Sequence, residues 1–100
     1  MSEVRLPLEG VKVVELATFI AAPCTARFLA DLGADVIKVE APKGDPLRYT
    51  AVIEGRPLDQ KENTSYDLEN AGKRCISLNT KSEEGREALE KLIADADVFI

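Results

Sequence analysis

The chain has 100 residues, 45% of them hydrophobic and 31% charged, and its net charge is −5. That balance suits one small globular domain with a modest core rather than a disordered segment. The acidic excess argues against a nucleic-acid or anionic-membrane surface, both of which call for a basic one. No apolar run approaches the roughly 18 residues of a membrane span. The start, Met1-Ser2-Glu3-Val4-Arg5, lacks the apolar core of a signal peptide, so a cytoplasmic location is the expectation.

In chain order, Leu6-Pro7-Leu8-Glu9-Gly10 is a lead-in with turn residues, and Val11–Leu16 is strand one. That run is nearly continuous in apolar residues, as a parallel strand covered on both faces should be. Ala17–Ala22 forms a loop. Pro23 suits the first turn of a helix that runs to about Leu32, with Phe28, Leu29 and Leu32 as its apolar stripe and Gly33 as its stop. Ala34–Val39 is strand two.

Residues 41–72 read as a long irregular excursion rich in Pro and Gly, with a short helix near Ser65–Glu69. Loops of that length are usually functional or wrapped on a partner surface. Arg74–Leu78 alternates like a strand and ends at Asn79-Thr80. Thr80 with Glu83 fits a capping box for the next helix, with Ser82 as the rival cap. Ala88, Leu89, Leu92, Ile93 and Ala96 make that helix's buried face, and a further buried strand opens near Asp97. A chain that stops in mid-strand reads as the N-terminal piece of a longer protein.

Two strand-helix-strand units with short connections predict an α/β fold, an open, Rossmann-like, doubly wound parallel sheet. Ligands of such sheets bind at the carboxyl ends of the strands. Ala17–Ala22, Glu40–Gly44 and Leu78–Lys81 converge there.

The first loop carries Ala21-Ala22-Pro23 where a dinucleotide fold carries glycines. It is a weaker anion cradle than a GxGxxG turn, and Phe19 and Ile20 would suit a flat base or an acyl chain. Tight packing of a strand-to-helix turn explains the same residues. Glu40 stands where an acidic residue can meet a ribose hydroxyl, but without the glycines that signal is weak. Lys43, Arg48, Lys73, Arg74 and Lys81 are candidate phosphate contacts, against simple solvation. Asp45-Pro46-Leu47-Arg48 reads as a turn with an internal Asp–Arg pair.

The chain has no histidine, which excludes Ser-His-Asp and Cys-His catalysis and His-ligated metal within it, and no metal is expected. Cys24 and Cys75 are far apart and read as reduced thiols. Cys24 falls in a first helical turn, where the dipole can lower a thiol pKa, so a reactive role stays open.

Taken together, "PLEGVKVVEL", "AAPCTARFLADLGADVIKVEAPKGDPLR", "NAGKRCISLNTKSEEGREALEKLI" and "ADVFI" resemble the N-terminal region of the family III CoA-transferases, the group of formyl-CoA, carnitine and bile-acid CoA-transferases. The resemblance spans nearly all of residues 7–100, and the combination of LGADVIKVE, GDPLR and NxxKRxxxLN is specific. Within the family, the stretch from Gly44 to Ala71 looks closest to the (R)-phenyllactate and (R)-2-hydroxyisocaproate enzymes of amino-acid fermentation.

The resemblance implies that residues 1–100 are the N-terminal portion of a CoA-binding Rossmann-like domain, within a homodimer of interlocked, ring-like subunits. It implies transfer of CoA from an acyl-CoA thioester to a small carboxylic acid, with no nucleic acid or membrane as partner. An aspartate would act through a mixed anhydride and then an aspartyl-CoA thioester. That aspartate would lie beyond residue 100, so no catalytic residue is expected in this chain. CoA contacts carry over onto Thr18, Phe19, Ile20 and Ala21, onto Ala41 after Glu40, and onto Leu78 and Lys81.

Formyl-CoA transferases have arginine at the place of Ala41 and glutamine at that of Ile20. Lys43 would take over the arginine's phosphate role, and the apolar Ile20 would suit a greasier acyl group. The competing readings are a nucleotide-binding Rossmann fragment, which the missing glycines disfavour, and a small interaction module without a ligand.

Overall fold

A computed structural model describes residues 5–57 and 63–100. Met1–Val4 of the lead-in and residues 58–62 of the excursion lie outside that description. The elements are β1 (Lys12–Glu15), α1 (Ala21–Asp31), β2 (Asp35–Glu40), a 3-10 turn (Pro46–Tyr49), α2 (Thr50–Ile53), α3 (Thr64–Asn70), β3 (Arg74–Ser77), α4 (Glu83–Ala94) and β4 (Val98–Phe99). The expected elements are all present, and the 3-10 turn and α2 are additions within the excursion.

All pairings are parallel and the strand order is β3-β2-β1-β4. The α/β, Rossmann-like expectation therefore holds. The chain winds outward from β1 to β3, then α4 carries it back across the sheet to β4. The order reverses between β1 and β4, the kind of place where such sheets open a crevice.

Side chains alternate across the sheet. Val13 and Val36 pack with Ala26 and Ala34 on the α1 face. Val14 and Val39 pack with Leu89 on the α4 face, joined by Leu78, Leu92, Ile93 and Ala96. Each fully buried valine or leucine among them is worth about 1.5–3 kcal/mol, each alanine less.

α1 ends where Gly33 takes φ +106° and its N–H donates to the Ala30 carbonyl. Its buried stripe differs from the expected one. Pro23 and Ala26 are buried, with Leu29 and Ala30 packed beside them, whereas Phe28 and Leu32 are exposed. Small residues let α1 lie close to the strands, and this turns the bulkier ones outward. β4 is likewise more exposed than expected, because it touches β1 through two residues only and no described element covers its far side.

α4 is capped by Ser82, whose Oγ accepts from the Gly85 N–H at 3.0 Å; the Thr80–Glu83 capping box does not form. The Ser82 hydroxyl also donates to the Asn79 carbonyl at 2.7 Å. Helix and turn meet so closely that a Cβ at Gly85 would fall on that carbonyl.

Strands one and two are not apolar to their ends. Glu15 and Lys38 are paired in register on adjacent strands, and both are fully buried. Lys38 Nζ lies 2.8 Å from Glu15 Oε2 and 2.9 Å from Asp45 Oδ2, and it donates to the Ala17 carbonyl at 3.1 Å. Lys73 Nζ lies 2.6 Å from Glu15 Oε1 and donates to the Pro23 carbonyl and to Asn70 Oδ1. Two ammonium groups and two carboxylates thus form one neutral, solvent-free cluster beneath the β1–α1 loop.

Burial works to lower the Lys38 pKa, but Glu15 and Asp45 outweigh it and hold the group above the ordinary lysine value. At Lys73 burial wins over Glu15, and the pKa falls below the ordinary value.

A second network closes the excursion. Arg48 makes a two-pronged pair with Glu40 at 2.7 and 2.8 Å and lies over the Tyr66 ring, 3.7 Å from its centroid. Glu40 also accepts from the Asp45 N–H at 2.8 Å and the Tyr66 hydroxyl at 3.2 Å. The expected Asp45–Arg48 pair is therefore replaced by two others, Asp45 with Lys38 and Arg48 with Glu40. The Asp45 carboxylate is taken up by the Leu47 N–H of its own turn, the Phe19 N–H and Lys38, which leaves Arg48 free to reach β2.

Burial works to raise the Glu40 pKa, yet the bonds from Arg48 and the Asp45 N–H hold it below the ordinary value of 4.5. Glu40 accordingly contributes stability that is complete above pH 4.5 and is lost as pH falls through its folded pKa.

Three outcomes are expected in the full-length protein. Lys38→Met should cost about 3–5 kcal/mol in denaturant unfolding, because it strands buried carboxylate charge. A loss below about 1 kcal/mol would remove the cluster from the core's support. Gly85→Ala should lower the thermal midpoint although alanine is intrinsically better in a helix by about 1 kcal/mol; a rise would show that the turn yields. Glu40→Gln should flatten the decline of stability below pH 4.5, read as thermal midpoints across an acid series, and an unchanged slope would contradict the assignment.

Candidate functional site at the carboxyl edge of the sheet

β2 and β3 lie side by side, so the segments leaving them meet at one edge. After β2 the chain turns at Ala41–Gly44, where the Gly44 N–H donates to the Ala41 carbonyl at 2.8 Å and Gly44 takes φ +82°. The turn is steadied by the Tyr49 hydroxyl, which donates to the Lys43 carbonyl at 2.9 Å. After β3, Asn79 accepts the Lys81 N–H on its side chain at 3.1 Å and the Ser82 N–H on its carbonyl at 3.0 Å. Lys81 is thereby set just ahead of the N-terminus of α4.

Between these turns lies a cleft of about 290 Å³ lined by Ala41, Pro42, Lys43, Asn79, Thr80 and Lys81. A second hollow of about 380 Å³ continues it past Lys43 to Gly44, Arg48, Tyr49 and Ser77. Among the described residues neither Lys43 nor Lys81, both lining the cleft, is paired with a carboxylate. That is the charge an anionic ligand requires.

The other candidate cations are engaged. Arg48 is held by Glu40, Lys73 is buried against Glu15, and Arg74 pairs with Asp35 at 2.7 Å at the amino end of β3. Glu40 is occupied by Arg48 and Tyr66 and does not present a free carboxylate to a ribose.

The loop after β1 forms a separate, greasier hollow of about 270 Å³. Phe19, Ile20, Leu47 and Leu68 supply its apolar wall, and Glu54 and Glu69 add carboxylates. Phe19 takes φ +72°, the left-handed region that an aromatic residue rarely adopts. Its N–H is held by Asp45 Oδ1 at 2.9 Å. Thr18 is exposed in the same loop, and Ala21 is the exposed first residue of α1.

Ala41, Lys43 and Lys81 are therefore brought together, and Phe19 and Ile20 share a second hollow. Leu78 stands apart. Its side chain packs into the α4-side core, and its N–H donates to the Glu40 carbonyl at 2.9 Å.

Cys24 does not behave as an activated thiol. Burial first, and then Glu69, raise its pKa above the ordinary value, against the lowering influence of Arg27 and Lys73. Asn79 and Thr80 line the cleft and Tyr49 the hollow beside it; the sequence marked the first two only as part of the converging 78–81 segment and its motif, and gave no sign of Tyr49. Among the described residues no cluster could hold a metal ion, and no helix is long and apolar enough to cross a membrane.

Comparisons with known proteins bear on the family and the fold. The model of CoA-transferase family III matches residues 8–100. The cinnamoyl-CoA:phenyllactate CoA-transferase of Clostridium sporogenes is 64% identical over 91 residues, which are 91% of this chain and 22% of that protein. The (R)-2-hydroxy-4-methylpentanoate CoA-transferase of Clostridioides difficile is 50% identical over 93% of this chain and 23% of its own length. Among solved structures, a CAIB/BAIF family protein from Brucella suis superposes with a TM-score of 0.81 at 40% identity, covering 96% of this chain and 25% of that one. The chain spans less than a quarter of the length of the curated relatives named here. With nearly the whole chain matched by the family model and the sheet shared with a solved family structure, the chain belongs to CoA-transferase family III.

Proposed function

We propose that residues 1–100 form the N-terminal portion of the CoA-binding domain of a full-length enzyme. That enzyme moves CoA from an acyl-CoA thioester to a free 2-hydroxy acid. The observation that carries this reading is a pair of lysines, Lys43 and Lys81, that line one cleft at the carboxyl edge of a Rossmann-like sheet and have no carboxylate partner among the described residues. A CoA thioester is polyanionic at its nucleotide end and neutral at its reacting end. The cationic cleft suits the former, and the apolar hollow of Phe19 and Ile20 suits the latter. Thr18, Ala21, Ala41 and Leu78 complete the proposed contacts, Leu78 through its backbone because its side chain is in the core.

The chemistry proceeds through an aspartate outside residues 1–100. Its carboxylate attacks the thioester carbonyl and expels CoA thiolate, leaving a mixed anhydride. The thiolate then attacks the aspartyl carbonyl, giving aspartyl-CoA and releasing the donor acid. The incoming acid repeats these steps in reverse. The role of this segment is to hold CoA while its acyl partner changes, a positional contribution. A cytoplasmic homodimer of interlocked subunits is the setting proposed for it. The 2-hydroxy acid assignment draws on the two clostridial relatives, whose names specify phenyllactate and 2-hydroxy-4-methylpentanoate.

With the full-length protein, cinnamoyl-CoA and 3-phenyllactate should yield phenyllactyl-CoA, detected by liquid chromatography, and oxalate should be a far poorer acceptor. Failure with every 2-hydroxy acid would overturn the substrate class. Lys81→Ala should raise KM for the thioester about five- to ten-fold, in line with loss of one solvent-exposed hydrogen bond worth about 1 kcal/mol, while kcat stays near wild type. An unaltered KM would take Lys81 out of the site. Ile20→Gln should move the preference toward smaller acids; an unchanged ranking would mean that Ile20 does not line the acyl pocket.

A further inference from the structure

The aromatic residue in the left-handed conformation and the buried carboxylate that holds it belong to different loops. Asp45 sits in the turn after β2, and Phe19 in the loop after β1. One carboxylate oxygen, Oδ1, accepts from both the Phe19 N–H at 2.9 Å and the Leu47 N–H at 3.0 Å. The other, Oδ2, faces Lys38 Nζ at 2.9 Å. Asp45 is 1% exposed, and its own N–H is fixed on Glu40. The loop that bears the apolar hollow and the turn that bears Lys43 are therefore fastened to a single buried group.

A left-handed conformation at a bulky residue costs free energy and persists only where the surroundings hold it. No glycine relieves it here, and α1 begins without a side-chain cap: Ile20 precedes it and makes no such bond. The Asp45 bond fixes this peptide group directly, and Lys38 holds the other oxygen of the same carboxylate, its buried ammonium shared among Asp45, Glu15 and the Ala17 carbonyl.

We propose that Asp45 is a positioning residue for CoA-ester binding. It holds Phe19 in the left-handed conformation and so keeps the apolar hollow at a fixed distance and angle from the Lys43–Lys81 cleft. This rests on the CoA-binding reading above. Asp45 touches no ligand in this account and acts through the Phe19 peptide group. The consequence is that the two ends of the ligand site move together, and loosening one turn degrades both.

The test is a double-mutant cycle in the full-length protein, with CoA affinity from calorimetry and local amide exchange as its readouts. Asp45→Ala alone should weaken CoA binding roughly ten-fold, at the lower end of what such backbone strain can drive. Combined with Phe19→Gly, which adopts the left-handed region without strain, the same change should cost only about two- to three-fold relative to Phe19→Gly alone. Equal losses in both backgrounds would overturn the proposal, because a general loss of stability does not depend on the backbone freedom of residue 19.

Should Asp45→Ala not accumulate as folded protein, the charge-neutral pair Lys38→Met with Asp45→Ala, which also removes the acceptor of the Phe19 N–H, takes its place in the same cycle with the same criterion. If the wild-type protein does not bind CoA at all, the functional reading falls, and amide exchange judges the tether by itself. Faster exchange confined to residues 17–21 in Asp45→Ala, absent when Phe19→Gly is the starting point, supports it. A uniform rise along the chain, or none in that loop, contradicts it.

Discussion

The Lys38 ammonium is the point on which the site end of this fold depends. It projects from the second strand into a place without water, and it must be neutralised there. Glu15, its cross-strand partner, supplies one carboxylate, and Asp45, brought back by the turn after β2, supplies the other. Because a buried ion must be met by partners on all sides, the requirement reaches outward. It fixes how the β1–α1 loop leaves the sheet, since the Ala17 carbonyl also binds Lys38. It also fixes where the 41–48 turn folds, since Asp45 must arrive. Lys73, on the same Glu15, adds the start of β3 and the end of α3 to the arrangement.

Apolar packing alone would not specify these loops. The two core layers are built from small and medium aliphatic residues, and they set the distances between sheet and helices. Aliphatic contacts are non-directional and would tolerate several loop paths. Paired charges in a dry interior tolerate few. The fold therefore divides its work: valine, alanine and leucine hold the layers together, while the buried ions and the Glu40–Arg48–Tyr66 network orient the turns that form the ligand edge.

The layered fold was legible in the sequence because period and punctuation agree there. Val11–Leu16 and Ala34–Val39 are short apolar runs, and Gly33 stops the helix between them. The helix after Ser82 shows a 3.6-residue stripe with its wet face filled by charges. What escaped was the meaning of charges inside strands. Glu15 and Lys38 read as tolerated interruptions of apolar runs; the signal was available in their opposite signs at neighbouring strand ends, but it depends on register, which composition does not give. Asp45–Arg48 was misread for a related reason. Proximity in sequence suggested a pair, whereas each side chain found a partner across the fold. The resemblance to a family supplied the proposed CoA contacts, and physical pattern alone would have left the Ala-Ala-Pro loop as a tight turn.

The claim at the centre of this account is that CoA lies along the carboxyl edge of the sheet. Amide exchange of the full-length protein with and without CoA tests it most directly. The account predicts protection concentrated in residues 17–21, 41–44 and 79–82. The contradicting result is no change in those segments, or protection instead at the opposite end of the strands, in the hollow lined by Lys12, Asp35, Arg74 and Asp95.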